Sequence, residues 1–228
     1  MLDFQPVKIE DRDLILNNIP ESALQICDFS FANIFCWSVG ENTRIAQKDG
    51  FIFLRSRFNG VKSYAFPWGK GDVKTALKII EEDAKERNAD FSFYCLSEEQ
   101  SEILKEIYEA RGKKVLITHF ADLLKYICKQ YFDWDGNKDE KGRTLLQYIG
   151  TDVIGAKNPA YWAEFVANIL KFFENEWDYV IIDELPAKML VEGNDGLACL
   201  PLYYEGEEGA DDELAFDSYA ICVTKGQE

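Results

Sequence analysis

Residues able to do acid–base or metal chemistry are few in this chain and widely spaced. The only histidine, His119, ends the apolar run KKVLITHF, a strand-like setting that favours a structural or binding role over catalysis. Six cysteines stand singly in patterns such as FYCL, YICK and AICV with no CxxC pair, so a zinc site would need distant cysteines to converge, and buried reduced thiols are expected instead. Arg143 and Gln147 lie four residues apart in the helical pattern GRTLLQ and share a face. They could read a phosphate or a base, or be an exposed arginine beside an amide. The stretch Gly69-Lys70-Gly71-Asp72 superficially suggests a phosphate loop, but GxxxxGK[ST] needs more defined glycine and lysine positions than it supplies. Asp183, at the end of a second apolar run, is a lone carboxylate that could hold a metal only through water.

The elements that must carry these residues are legible from their periodicity. KKVLITHF and DYVIID read as buried strands separated by three helical patterns, the layout of an α/β unit with a parallel sheet. Earlier, Phe4, Val7 and Ile9 suggest a short strand, and the aromatic segment CDFSFANIFCW a helical turn on a core. FIFLRSRF and SYAFP, flanking Asn59-Gly60, suggest an antiparallel hairpin. Asp72 is placed to cap a helix over Ala76, Leu77, Ile80 and Ala84; after the strand DFSFYCL, Ser97 to Gln100 form a capping box. Gly112 reads as the end of that second helix, and Gly150-Thr151-Asp152 as a turn. The fold class is therefore α/β.

With 228 residues, 47% of them hydrophobic, the chain can bury a substantial core. A formal net charge of −16 argues against a broad nucleic-acid or anionic-membrane footprint. No stretch approaches a membrane span and no signal-like start is present, so a cytoplasmic location is expected. The tail holds two strand-like runs, LACLPLYY and YAICVTK, on either side of an acidic stretch best read as a solvated loop without EF-hand spacing; they are expected to add edge strands.

Two resemblances organise these pieces. FQPVKIEDRD, DFSFANIFCW, GFIFLRSRF and YAFPWGKGDVKTAL, in that order, resemble the N-terminal half of the phosphatidylglycerol lysyltransferase C-terminal-domain-like family, built of acetyltransferase-like halves. This implies acyl or aminoacyl transfer; the residues after Glu109 do not match the half expected to bind the donor. From Lys113 to Asp183, THFADLLKYICKQYFDWDG, KGRTLLQYIGTDV, NPAYWAEFVANILKFF and EWDYVIID resemble bacterial and phage deoxynucleoside monophosphate kinases. A phosphate acceptor needs cations and donors around it, which makes Lys125, Arg143 and Gln147 candidate binding residues, with Trp162 able to stack on a base or to join the core. No Walker A loop precedes the segment, and the expected PDxRF motif is replaced by Asp183-Glu184-Leu185-Pro186.

The expected organisation is a composite: an acetyltransferase-like half over residues 1–109, a kinase-like segment over 113–186 and an acidic tail over 187–228. A nucleotide or an acyl donor is the ligand these resemblances imply. A non-catalytic interaction module that binds a protein partner is the alternative, and the residues leave the cofactor open.

Overall fold

Alternation along FIFLRSRF builds the strand around which the sheet forms. In the computed structural model, which describes residues 1–20, 23, 27–58, 61–88, 91–183 and 219–222, β3 (Phe51–Phe58) turns Phe51 and Phe53 to one face and Ile52 and Leu54 to the other. All four are buried, so helices must cover both faces. β3 pairs antiparallel with β2 (Arg44–Lys48) on one side and β4 (Val61–Tyr64) on the other, while β1 (Gln5–Pro6) extends the edge beyond β2. The two-residue β5 (Trp68–Gly69) also lies against β3.

The face of Phe51 and Phe53 is covered by α3 (Val73–Glu86) and α4 (Glu98–Glu109). Each begins at a side-chain cap: Asp72 accepts from the amides of Lys74 and Thr75, and Ser97 exchanges hydrogen bonds with Gln100. The opposite face carries α1 (Arg12–Asn18) and α2 (Phe31–Trp37), whose Ile15, Ile34 and neighbouring Phe29 pack on Ile52, Leu54 and Trp68.

Four more strands complete the sheet: β6 (Phe93–Leu96), β7 (Val115–His119), β8 (Tyr179–Asp183) and β9 (Tyr219–Cys222). β6 runs parallel to β4, and the order across the sheet is β1-β2-β3-β4-β6-β9-β8-β7. β7 and β8 are parallel, as the sequence predicts, and α5 (Ala121–Tyr131), α6 (Glu140–Gln147) and α7 (Tyr161–Phe172) lie between them in the chain. Gly112, with φ +77°, ends the turn after α4, and the sheet runs on across it. Tyr108 of α4 meets Tyr179 of β8 with ring centroids 4.5 Å apart, and Lys113 pairs with Asp178 at 2.8 Å.

A buried carboxylate pins the chain's first residues to α3. Asp83 is fully buried and accepts from the Leu2 amide (2.7 Å), the Tyr64 hydroxyl (2.8 Å) and Arg87 Nε (2.8 Å). Burial alone would raise its acid, but the bonds from Arg87, Leu2 and Tyr64 outweigh it and hold the carboxyl below its ordinary value.

Several expectations need correction. Ile9 opens a 3-10 turn rather than continuing a strand, because Asp11 folds back to accept the Lys8 amide at 2.8 Å. Gly150 to Asp152 is no turn: Tyr148–Gly155 forms a π-helix, and a Cβ at Gly150 would sit 2.7 Å from Leu124, so glycine there allows α5 to approach. β9 is not an edge strand but lies between β6 and β8, which leaves β7 at the edge. Cys95 and Cys128 are buried thiols, whereas Cys36 is exposed on α2. The run LACLPLYY and the acidic stretch after it lie outside the described residues.

Candidate functional site

Strand alternation places a hydroxyl where the pattern of β3 calls for an apolar residue. Ser56 follows Ile52 and Leu54 on the face covered by α1 and α2, and is 3% exposed. Its hydroxyl lies 2.9 Å from Thr43 Oγ1 and donates to the Tyr94 hydroxyl at 3.2 Å, which leaves Thr43 to donate to Ser56. A buried chain of three hydroxyls results, running from the start of β2 through β3 to β6. Burial drives the Tyr94 phenol far above its ordinary value, with the Ser56 bond opposing and the charges of Glu41 and Asp28 adding to it. Tyr94 therefore stays protonated.

The two carboxylates near Tyr94 come from the α2–β2 connection and from the turn before α2. Glu41 is fixed by its backbone: its amide donates to the Trp37 carbonyl at 2.9 Å, and its carbonyl accepts the Arg57 amide at 2.7 Å. The next residue, Asn42, adopts φ +51°, a conformation asparagine tolerates, and turns the chain into β2. Asp28 sits in the 3-10 turn Cys27–Phe29, whose Phe29 is anchored edge-on against Trp68 with centroids 5.0 Å apart. Burial, and then repulsion from Asp28, push the Glu41 acid up to about 7. A half-buried carboxyl that titrates near neutrality beside a chain of hydroxyls can take a proton from an attacking hydroxyl or amine and return it to a leaving oxygen.

The residues singled out from sequence lie elsewhere. Arg143 is exposed on α6 and donates Nε to the Lys138 carbonyl at 3.1 Å; Gln147 is exposed at the end of the same helix. Lys125 is 3.8 Å from Asp122 on its own helix, and Asp122 also accepts the His119 amide at 3.2 Å. Trp162 packs beside the cluster of Phe120, Val166 and Val180 and donates Nε1 to the Gly150 carbonyl at 3.1 Å. No hydrogen bond or ion pair joins any two of these four. The glycines of GKGD serve packing: a Cβ at Gly69 would collide with the Gly50 carbonyl oxygen, and one at Gly71 would lie 2.8 Å from the Phe51 ring. Among the described residues, no group of three or more His, Cys, Asp or Glu side chains could hold a metal ion, and no helix is long and apolar enough to cross a membrane.

Sequence reasoning does not single out Glu41, Asp28, Thr43, Ser56 or Tyr94. The one usable signal is Ser56, a polar residue on an otherwise apolar strand face. Glu41 carries no motif, since its shifted acid depends on burial and on Asp28, thirteen residues away.

Comparison with known proteins adds three findings. No curated protein matches the chain. Among solved structures, the crystal structure of a conserved protein of unknown function from Bacteroides thetaiotaomicron VPI-5482 is similar at 21% identity and a TM-score of 0.45; the match covers 82% of this chain and 55% of that one. The family model described as phosphatidylglycerol lysyltransferase, C-terminal, matches residues 21–153. That match runs through Gly112 and over α5 and α6, past the end expected for this resemblance, and the kinase-like resemblance of the segment finds no support in these comparisons. The chain belongs to the phosphatidylglycerol lysyltransferase C-terminal family.

Proposed function

We propose that the chain is an acyl- or aminoacyl-transfer domain in which Glu41 handles the transferred proton. The observation that carries this reading is the Glu41 carboxyl, raised to about 7 by burial and Asp28 and within electrostatic reach of Tyr94, the end of the Thr43–Ser56–Tyr94 hydroxyl chain. Family membership supports it, because the family's name describes moving a lysyl group onto phosphatidylglycerol. In such a transfer, an acceptor hydroxyl attacks the carbonyl carbon of an aminoacyl ester. The new C–O bond forms as the donor ester C–O bond breaks. Glu41 takes the hydroxyl proton and delivers it to the leaving donor oxygen, so no net charge is left in the site.

The test is a transfer assay with an activated lysyl ester as donor and phosphatidylglycerol vesicles as acceptor, with lysyl-lipid read by mass spectrometry. Glu41→Gln should lower the rate by about 100-fold or more while leaving the fold intact. An unchanged rate would remove Glu41 from the reaction.

For the unit between β7 and β8 we propose a separate binding role for Lys125, Arg143, Gln147 and Trp162 toward deoxynucleoside monophosphates. The parallel β7–β8 pair joined through helices is the observation that favours it. A rise in melting temperature with a monophosphate, abolished by Arg143→Ala, is the expected result, and no rise would dismiss it.

A further inference from the structure

On the rung of the β2–β3 ladder next to the hydroxyl pair, the same alternation brings two arginines together. Arg44 and Arg55 are direct partners across the strands and so project from the same face, opposite to that of Ser56. Like charges in that position repel and destabilise a sheet. The chain as a whole is strongly acidic, so this local concentration of cations stands against the overall charge.

The surroundings neutralise the pair only in part. Arg87 spends Nε on Asp83 and donates Nη2 to the Leu2 carbonyl at 2.5 Å. Arg44 gives Nε to Asn42 Oδ1 at 2.9 Å. Arg55 Nη1 comes no nearer than 3.7 Å to Asp83 Oδ2, and it is buried without a hydrogen-bond partner. The Phe4 ring lies under the Arg55 guanidinium at 4.4 Å and within 5.5 Å of that of Arg87, which holds the cations in place without using their N–H groups. The three arginines and Phe4, with Asn42 and the carboxylate of Asp3, line a cavity of about 400 Å³.

We propose that this cavity binds a phosphate-type oxyanion, held between the guanidinium groups of Arg44 and Arg55. Guanidinium groups match the oxygens of a tetrahedral anion, and the anion adds negative charge where Asp83 alone faces Arg55 and Arg87 and Arg44 has no carboxylate partner among the described residues. The cavity has room for more than the phosphate itself, so a small phosphomonoester fits the same chemistry as inorganic phosphate. The site lies across the sheet from Glu41 and does not depend on the transfer reading.

The experiment is thermal unfolding of the intact chain in inorganic phosphate, in glycerol 3-phosphate and in chloride at equal ionic strength, with vesicles containing phosphatidic acid as a further arm. Phosphate should raise the melting temperature by about 5 °C at a hundredfold excess over its dissociation constant. Arg44→Gln should remove that rise, and Arg12→Gln, on the exposed surface of α1, should keep it. Because Arg44→Gln relieves the opposed charges, it should be no less stable than the wild type in chloride. A rise with glycerol 3-phosphate assigns a soluble ligand, and a response to vesicles alone assigns a lipid headgroup. The proposal is overturned if no phosphate compound stabilises the wild type, if Arg44→Gln responds as the wild type does, or if Arg44→Gln is clearly less stable in chloride.

Discussion

Replacing Asp83 by Asn isolates the interaction that ties the start of the chain to the core. The substitution keeps the shape of the side chain but removes its charge and one of its two acceptor oxygens. Oδ1 now serves the Leu2 amide, while Oδ2 serves both the Tyr64 hydroxyl and Arg87 Nε. An amide can offer its oxygen to only one of these sets, so its NH2 must face a donor. Arg87 and Arg55 also lose their buried counter-charge. Removing one member of a buried pair costs about 3–5 kcal/mol, and since Asn leaves no cavity, the lower figure of about 3 kcal/mol is expected. That is a large share of a stability of about 5–15 kcal/mol. In urea, it should move the midpoint down by about 1 M with an unchanged slope. The difference should also depend on pH. Asp83 is held below its ordinary value in the folded chain, so its contribution is fully present above the ordinary carboxylate range and is lost as the pH falls through the lowered folded value. The two unfolding curves should therefore converge in acid. A loss below about 1 kcal/mol, or a gap that stays constant into acid, would refute the reasoning.

Packing sets two further outcomes. Gly69→Ala should destabilise the chain by about 2 kcal/mol or more, read as a fall in melting temperature, because its Cβ would collide with the Gly50 carbonyl oxygen and fall 2.8 Å from Phe51 Cα. Limited trypsin digestion should cut slowly at Arg111 and Lys113, since the Tyr108–Tyr179 contact and the Lys113–Asp178 bridge span the Gly112 turn; rapid cleavage there would instead mark the two flanking segments as independent units.

Local signals in the sequence carry most of the fold. Asp72 and Ser97 cap the helices they are expected to cap, FIFLRSRF forms a strand paired antiparallel to its successor, and KKVLITHF and DYVIID pair in parallel. Periodicity and capping act over a few residues, which is why they can be read there. The place of β9 cannot, because insertion between β6 and β8 is a choice among strands far apart in sequence. The π-helix at Tyr148 escapes for a related reason: glycine at position 150 answers to Leu124 on another helix rather than to a turn.

The candidate site is hidden more thoroughly. Arg143 and Gln147 share a helix face as their spacing implies, yet that face is exposed. Glu41 looks like one of many surface acids until the fold sets it half-buried beside Asp28 and Tyr94. Its chemistry lies in its environment, and three separate segments make that environment.

The ionisation of Glu41 is the property on which proton handling at this site depends most directly, and carbon-13 NMR of the carboxyl can follow it through a pH titration, with Glu41→Gln assigning the resonance. The Glu41 signal should titrate near 7, and Asp28→Asn should move it down toward the ordinary 4.5 as the neighbouring charge is removed. A Glu41 carboxyl that titrates near 4.5 in the folded wild type would contradict the assignment of this residue as the proton-handling group.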